Sequence, residues 1–276
     1  MNQMLPALLL FAAMYVLLLI FAEHRWIIAL CAAAVFMLLR ILPFSAALHA
    51  INWNVLMMLA GTMATVELFI QSQMPARMAE QLLQKVPNIQ WAVVALSVFS
   101  GVISAFVDNV ATVLMVAPVG LAVARQLKTN PVPVIIAIAV SSNLQGAATL
   151  VGDTTSILLA GYVGMSFNDF FWFQGRLGIA WAVEIGAALT IPVLLYLFRH
   201  EKEKVSAEVT TVVTDRVPTV LLVGTVVLLI AASQFPDKPA LTNGVICCAL
   251  AAIGIVYEAI RAGGAGENAQ VVRGRG

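Results

Sequence analysis

The chain has 276 residues, of which 61% are hydrophobic and 11% charged, and its formal net charge is +1. A soluble domain carries about 25% charged residues, so this composition excludes an ordinary soluble globular protein. No basic patch interleaved with aromatics occurs, and no nucleic-acid partner is expected. Cys31, Cys247 and Cys248 lie inside apolar runs without a CxxC, and His24, His49 and His200 flank such runs. Neither a disulfide framework nor a cofactor or metal centre is expected from them.

A bilayer core about 30 Å thick is crossed by about 20 apolar helical residues. Residues 4–21 form a first such run. No Lys or Arg precedes it, so it reads as a retained span and not as a signal peptide. Residues 26–42 form a second span with Pro43 beyond it, residues 45–52 a short connection, and residues 53–70 a third span. Residues 75–90 set Arg77, Glu80 and Lys85 among Met78, Leu82, Leu83 and Val86 at helical spacing, which predicts an amphipathic helix along the membrane interface.

Residues 91–126 are apolar except at their middle, Ser104-Ala-Phe-Val-Asp108-Asn109. Each arm is about 16–17 residues, roughly 25 Å of helix and slightly short for a crossing. Two arms meeting at a polar tip read as a re-entrant hairpin. Residues 131–164 hold two apolar pieces, 132–140 and 157–163, around the polar run 141–156. Neither piece crosses alone, so together they predict one crossing broken at its centre, with Gly146 and Gly152 permitting the unwound backbone. Non-helical backbone at membrane depth persists only where it is buried in protein or faces water. Residues 175–198 form a further span containing Glu184 and Pro192. Residues 200–216 are a charged loop, 217–235 and 240–260 two more spans, and 261–276 a Gly-rich polar tail expected to be disordered.

Charge tests this topology. Of 15 Lys and Arg residues, only Arg40, Arg176 and Lys238 fall on the side of the N-terminus. The other twelve, among them Arg25, Arg77, Lys128, Arg199 and Arg275, fall opposite, which makes that side cytoplasmic. The N-terminus is then outside the cell membrane and the C-terminus inside. The bias holds only if 91–126 returns to its own side and 131–164 crosses once. The span pair in 4–42 then starts outside and the pair in 217–260 starts inside, as the openings of two inverted repeats would. The expected fold is an all-α polytopic membrane protein. Its first repeat is 1–199, with a cytoplasmic loop at 200–216, the start of an incomplete second repeat at 217–260 and the tail from 261.

Asp108 and Asp153 fall near the presumed midplane. An acid there costs about 2.5–3.5 kcal/mol on insertion scales and is a functional candidate by default. Each also precedes a half-helix, where Asp is a good N-cap, and the two roles are compatible. Two broken elements supply helix N-termini for anions and unwound carbonyls for cations. Ser104, Asn109, Ser142, Asn143, Gln145 and Thr149 add uncharged oxygens. The set suits Na⁺, or a proton taken up on Asp108, Asp153 or the deeper Glu184. Glu67 lies near a helix end and reaches water. Met57, Met58 and Met63 read as packing, and Trp26, Trp53, Trp91 and Trp172 as interfacial anchors.

These two motifs carry a family likeness. Ser104-Ala-Phe-Val-Asp108-Asn109, continuing to Pro118, resembles the hairpin tip of the ion transporter superfamily. The run Ser142-Asn-Leu-Gln-Gly-Ala-Ala-Thr-Leu-Val-Gly-Asp153 resembles the broken helix of the same group, and Ile51-Asn-Trp-Asn54 the start of its third span. The group takes in citrate-transporter-like permeases, arsenite permeases, the melanosomal P protein and one class of Na⁺/H⁺ antiporter. The likeness covers residues 51–199, and the rest by span pattern only. It implies two inverted repeats, a sodium or proton site between hairpin tip and broken helix, and elevator-like movement in a homodimer. Asp108, Asn109, Asn143, Gly146, Thr149, Gly152 and Asp153 fall on motif positions.

Three departures shape the expectation. Relatives often continue Gly-Asp-Pro-Pro-Asn where this chain has Gly152-Asp-Thr-Thr-Ser156. Dicarboxylate carriers have a neutral Ser-Asn-Thr at the tip where this chain has Asp108. No second hairpin follows residue 217, so the chain is expected to be a half or a fragment whose second repeat comes from a separate chain. The function expected is ion-coupled transport of a small anion or oxyanion in a lipid bilayer, with Na⁺/H⁺ antiport as the alternative. From other classes, a non-transporting scaffold competes. An intramembrane aspartyl protease does not fit, since its Gly-x-Gly-Asp meets Leu150 here and its tyrosine meets Val107.

Overall fold

The computed structural model describes residues 4–126, 130–204, 210–235 and 238–273; Lys128 and Arg275 from the charge count lie outside them. The chain divides into two compact units, Met1–Asn52 and Trp53–Gly276.

In the first unit, α1 (Met4–Ile20) has no buried residue and is apolar all round, the pattern of a helix that meets lipid or another chain. A short 3-10 turn, Ala22–His24, places Glu23 and His24 between α1 and α2 (Arg25–Leu38). The helix axes turn through 116° there. The connection expected at 45–52 contains a short helix, α3 (Phe44–Ala50), started by Pro43 in an extended conformation.

The second unit holds α4 (Trp53–Gln71), α5 (Met74–Leu83), α6 (Ile89–Ser104), α7 (Asn109–Gln126), α8 (Val132–Gly146) and α9 (Thr154–Val163). The strands β1 (Trp172–Phe173) and β2 (Arg176–Leu177) follow, then α10 (Ile179–Leu197), α11 (Val217–Ala232) and α12 (Thr242–Arg273). Among the described residues, Trp53–Gln71, Ile179–Leu197 and Thr242–Ala262 are each long and apolar enough to cross a membrane, and α1 with α2 passes that test as a bent pair.

Three differences from the sequence expectation have local causes. The span expected from residue 175 begins at Ile179, because Gln174 and Gly175 both take positive φ and close a two-residue turn between β1 and β2. The amphipathic helix expected over 75–90 stops at Leu83, and Asn88 then caps α6 by accepting from the Trp91 N–H at 3.1 Å. Its buried face, Pro75, Ala79 and Leu83, packs on α6 and α7. The backbone from Arg261, expected to be disordered, continues α12 as helix to Arg273, since extending a helix already begun needs no new nucleus, even across Gly263, Gly264 and Gly266.

Two helical groups make up this unit. The hairpin arms α6 and α7 both pack on α8, with α10 alongside, around Val93, Leu96, Val116 and Ile138. In the other group α4, α11 and α12 pack on one another. A Cβ on Gly61 would come within 2.6 Å of the Cys248 backbone nitrogen, so only glycine lets α4 and α12 approach this closely. Asn54 Oδ1 accepts from the Gly244 N–H at 2.8 Å and sets the register of that contact.

Candidate functional site

The hairpin turns over residues 105–108, between the C-terminus of α6 and the N-terminus of α7. Asp108 Oδ2 accepts from the Ala111 N–H at 3.1 Å, and Asn109 Oδ1 from the Val110 N–H at 2.8 Å. The tip aspartate therefore caps α7, as its position implied.

Where one broken crossing was expected, the chain forms α8 and α9 with an irregular stretch, 147–153, between them. That stretch folds against the hairpin tip. The Thr149 hydroxyl donates to the Ala105 carbonyl, and the Ser142 hydroxyl donates to the Asn109 carbonyl at 3.0 Å. Asn109 Nδ2 donates to Asn143 Oδ1 at 2.6 Å, and Asn143 Nδ2 to the Ala139 carbonyl at 2.9 Å. Leu150 and Val151 are buried among α4 and α11 side chains, which holds the stretch from its other side. Asp153 precedes α9 but does not cap it with its side chain. Its carboxylate accepts instead from the hydroxyls of Thr154 at 3.3 Å and Thr155 at 2.9 Å.

Gly152 is where the two breaks touch. A Cβ there would collide with the Gly146 carbonyl oxygen and come within 2.7 Å of the Ser104 and Ala105 carbonyl oxygens. The C-terminal carbonyls of α6 and α8 thus converge on one place, and helix C-termini carry partial negative charge. Nearby, Ser104 Oγ and Gln145 Oε1 are buried with no hydrogen-bond partner. A buried orphan oxygen costs about 1–3 kcal/mol, a cost that a bound cation or water removes.

Two cavities meet Asp108. The smaller, about 20 Å³, is bounded by Asp108, Gly152, Asp153, Thr154 and, from α4, Thr62, and the rest of its wall is apolar: Leu59, Met63, Val66, Val151 and Ile157. Its volume admits one water-sized occupant. Thr62 donates its hydroxyl to the Met58 carbonyl at 2.7 Å, leaving its oxygen open as an acceptor. The larger is a cleft of about 1000 Å³ along one face of α7, walled also by α4 and α5. It runs past Glu67 and Glu80 to Asp108.

The structure thus gathers Ser104, Asp108, Asn109, Ser142, Asn143, Gly146, Thr149, Gly152 and Asp153 around the two breaks. Glu184 stands apart, on the exposed face of α10, and lines neither cavity. Glu67 lines the cleft and accepts from Gln71 Nε2 at 2.9 Å. Sequence reasoning missed Thr62, whose place among apolar neighbours carried no signal beyond packing.

The sequence matches the citrate transporter family over residues 8–264. An uncharacterized transporter of Mycobacterium tuberculosis is 33% identical over 169 residues, covering 59% of this chain and 39% of that protein. The P protein of Mus musculus is 29% identical over 179 residues, 61% of this chain and 22% of its own length. Magnetosome protein MamN of Paramagnetospirillum magneticum is 29% identical over 171 residues, 60% of this chain and 39% of its own. The chain spans 39% of the length of that mycobacterial transporter and of an uncharacterized transporter of Mycobacterium bovis. The family and these mycobacterial relatives are transporters, not enzymes.

Proposed function

Because the chain belongs to the citrate transporter family, we propose that it forms the ion-binding repeat of a secondary transporter that couples a small anion or oxyanion to Na⁺ or H⁺. The observation that supports this most is that both buried-segment aspartates, Asp108 and Asp153, border one cavity of about 20 Å³ between the hairpin tip and the broken helix. The two carboxylates and the Thr62 hydroxyl that border it favour a single monovalent cation there, and the C-terminal carbonyls of α6 and α8 converge beside Gly152 in its wall.

Coupling follows from charge. With the site empty of cation, Asp108 and Asp153 repel an anion. A bound Na⁺, or a proton on either carboxylate, cancels that repulsion. The N-termini of α7 and α9 then favour an anionic group beside Asn109 and Asn143. Each ligand raises the affinity for the other by the same factor. The reading keeps the N-terminus outside and the hairpin entered from the cytoplasm, on the strength of the charge bias. It keeps a dimer with elevator-like movement, and a second inverted repeat from further sequence or a separate chain.

The test is uptake of citrate, metal–citrate and arsenite into proteoliposomes under imposed Na⁺ or H⁺ gradients. Gradient-driven accumulation of one of them is expected. Accumulation that ignores both gradients would sink the proposal. A second reading, Na⁺/H⁺ antiport, draws on the same pair of carboxylates facing one ion-sized cavity. It predicts proton efflux on adding Na⁺ with no anion present.

A further inference from the structure

Helix α5 carries Arg77 and Glu80 one turn apart, and both hold the segment 210–216 that leads into α11. The Glu80 carboxylate accepts four hydrogen bonds. Oε2 receives the N–H groups of Thr210 at 3.0 Å and Thr211 at 2.9 Å. Oε1 receives their hydroxyls at 3.3 Å and 2.7 Å. Four donors use the acceptor positions that a carboxylate offers. Arg77 Nη1 donates to the Thr211 carbonyl at 3.3 Å, so the segment is gripped through its donors and its acceptor.

A few residues on, the segment is anchored elsewhere. The Thr214 N–H donates to the Ser72 carbonyl at 3.2 Å, beside the end of α4. Arg261 of α12 donates to the Thr214 carbonyl at 2.9 Å and pairs with Asp215 at 3.2 Å. One strap therefore joins α4 and α12 at its downstream end to α5 upstream. Helix α5 packs chiefly on α6 and α7 of the hairpin group and meets α4 only at its start, where residues 72–73 join the two, whereas α4 packs chiefly on α11 and α12. Glu80, Thr210 and Thr211 also wall the cleft that runs along α7 to Asp108.

We propose that this strap is a latch on the cleft: the Glu80 carboxylate holds α5 and α7 close to α4, and its release widens the route to Asp108. The inference rests on the reading of the Asp108 region as the ion site, which gives that route its use. The anchors differ in kind. The downstream one is spread over Ser72, Arg261 and Asp215, so no one contact frees it. The upstream one converges chiefly on one carboxylate, whose loss releases two N–H groups and two hydroxyls together.

The experiment measures thiol reactivity in the reconstituted chain with Cys31, Cys247 and Cys248 replaced by alanine. Met115→Cys reports from the cleft-facing side of α7 and Val94→Cys from the closed hairpin core. With Glu80 present, a hydrophilic thiol reagent is expected to modify Met115→Cys slowly. Glu80→Ala is expected to raise that rate about tenfold, and Glu80→Gln less, since its amide still offers one acceptor oxygen. Thr210→Ala with Thr211→Ala, which keeps the backbone donors, is expected to move the rate in the same direction. Val94→Cys stays slow throughout. Equal Met115→Cys rates in all backgrounds would overturn the latch, as would a parallel rise at Val94→Cys. The readout is accessibility and not flux, so its failure leaves the transport reading standing. Absent flux with the expected labelling would overturn that reading alone.

Discussion

Asp108 and Asp153 hold equivalent places, each just before a half-helix, yet the fold uses their carboxylates differently. Asp108 binds a backbone N–H of its own helix, while Asp153 is held by two threonine hydroxyls. Asp108→Asn keeps an N-cap and removes a charge, so it should leave thermal stability in detergent within about 0.5 kcal/mol of wild type. Asp108→Ala loses both and should cost about 1 kcal/mol more. Equal destabilisation by the two would mean that the cap is irrelevant. Gly152 is the stricter position. Gly152→Ala drives a methyl into three carbonyl oxygens and should destabilise by about 1–3 kcal/mol, visible as a lowered unfolding temperature. An unchanged temperature would show that the two breaks do not touch as described.

At the scale of elements, the breaks between α6 and α7 and between α8 and α9 were legible because polar residues are costly inside apolar runs. Asp108 and the run from Ser142 to Asp153 therefore stood out without any knowledge of their partners. What was illegible depends on distant pairing. Thr62 looks like packing until α9 is laid against α4, and nothing local in Glu80 points to Thr210 and Thr211, some 130 residues away. The span expected at 175–198 starts later because Arg176 and Leu177 pair back on β1, a pairing that no local feature of the apolar run shows. The broken helix is tied to the hairpin chiefly by hydroxyls. Thr149→Val removes one such tie, leaves the Ala105 carbonyl without that donor, and should cost about 1–2 kcal/mol in chemical denaturation.

The strap adds a pH dependence at this scale. Burial pushes the Asp215 carboxyl up, but hydrogen bonds from the Val217 N–H, the Tyr257 hydroxyl and the Arg216 N–H, with Arg261 beside it, hold it below the usual carboxylate range. A lowered folded-state pKa means that the stabilisation is present at neutral pH and is lost as pH falls through that value. Melting curves should show that loss on the acid side, and Asp215→Asn should flatten it. A variant that follows the wild-type curve would remove Asp215 from the anchor.

At the scale of the whole molecule, family membership and membrane insertion stand on independent grounds: a match over residues 8–264, and helices long and apolar enough to cross. The site is where these lines meet, since two helix breaks, two acids and one ion-sized cavity occupy the same place. The most direct test is the cation dependence of solute uptake by the protein in proteoliposomes, compared among wild type, Asp108→Asn and Asp153→Asn. The account predicts gradient-driven uptake in the wild type, and in both variants uptake that is abolished or no longer responds to the Na⁺ or H⁺ gradient. Unaltered cation dependence in both variants would contradict it.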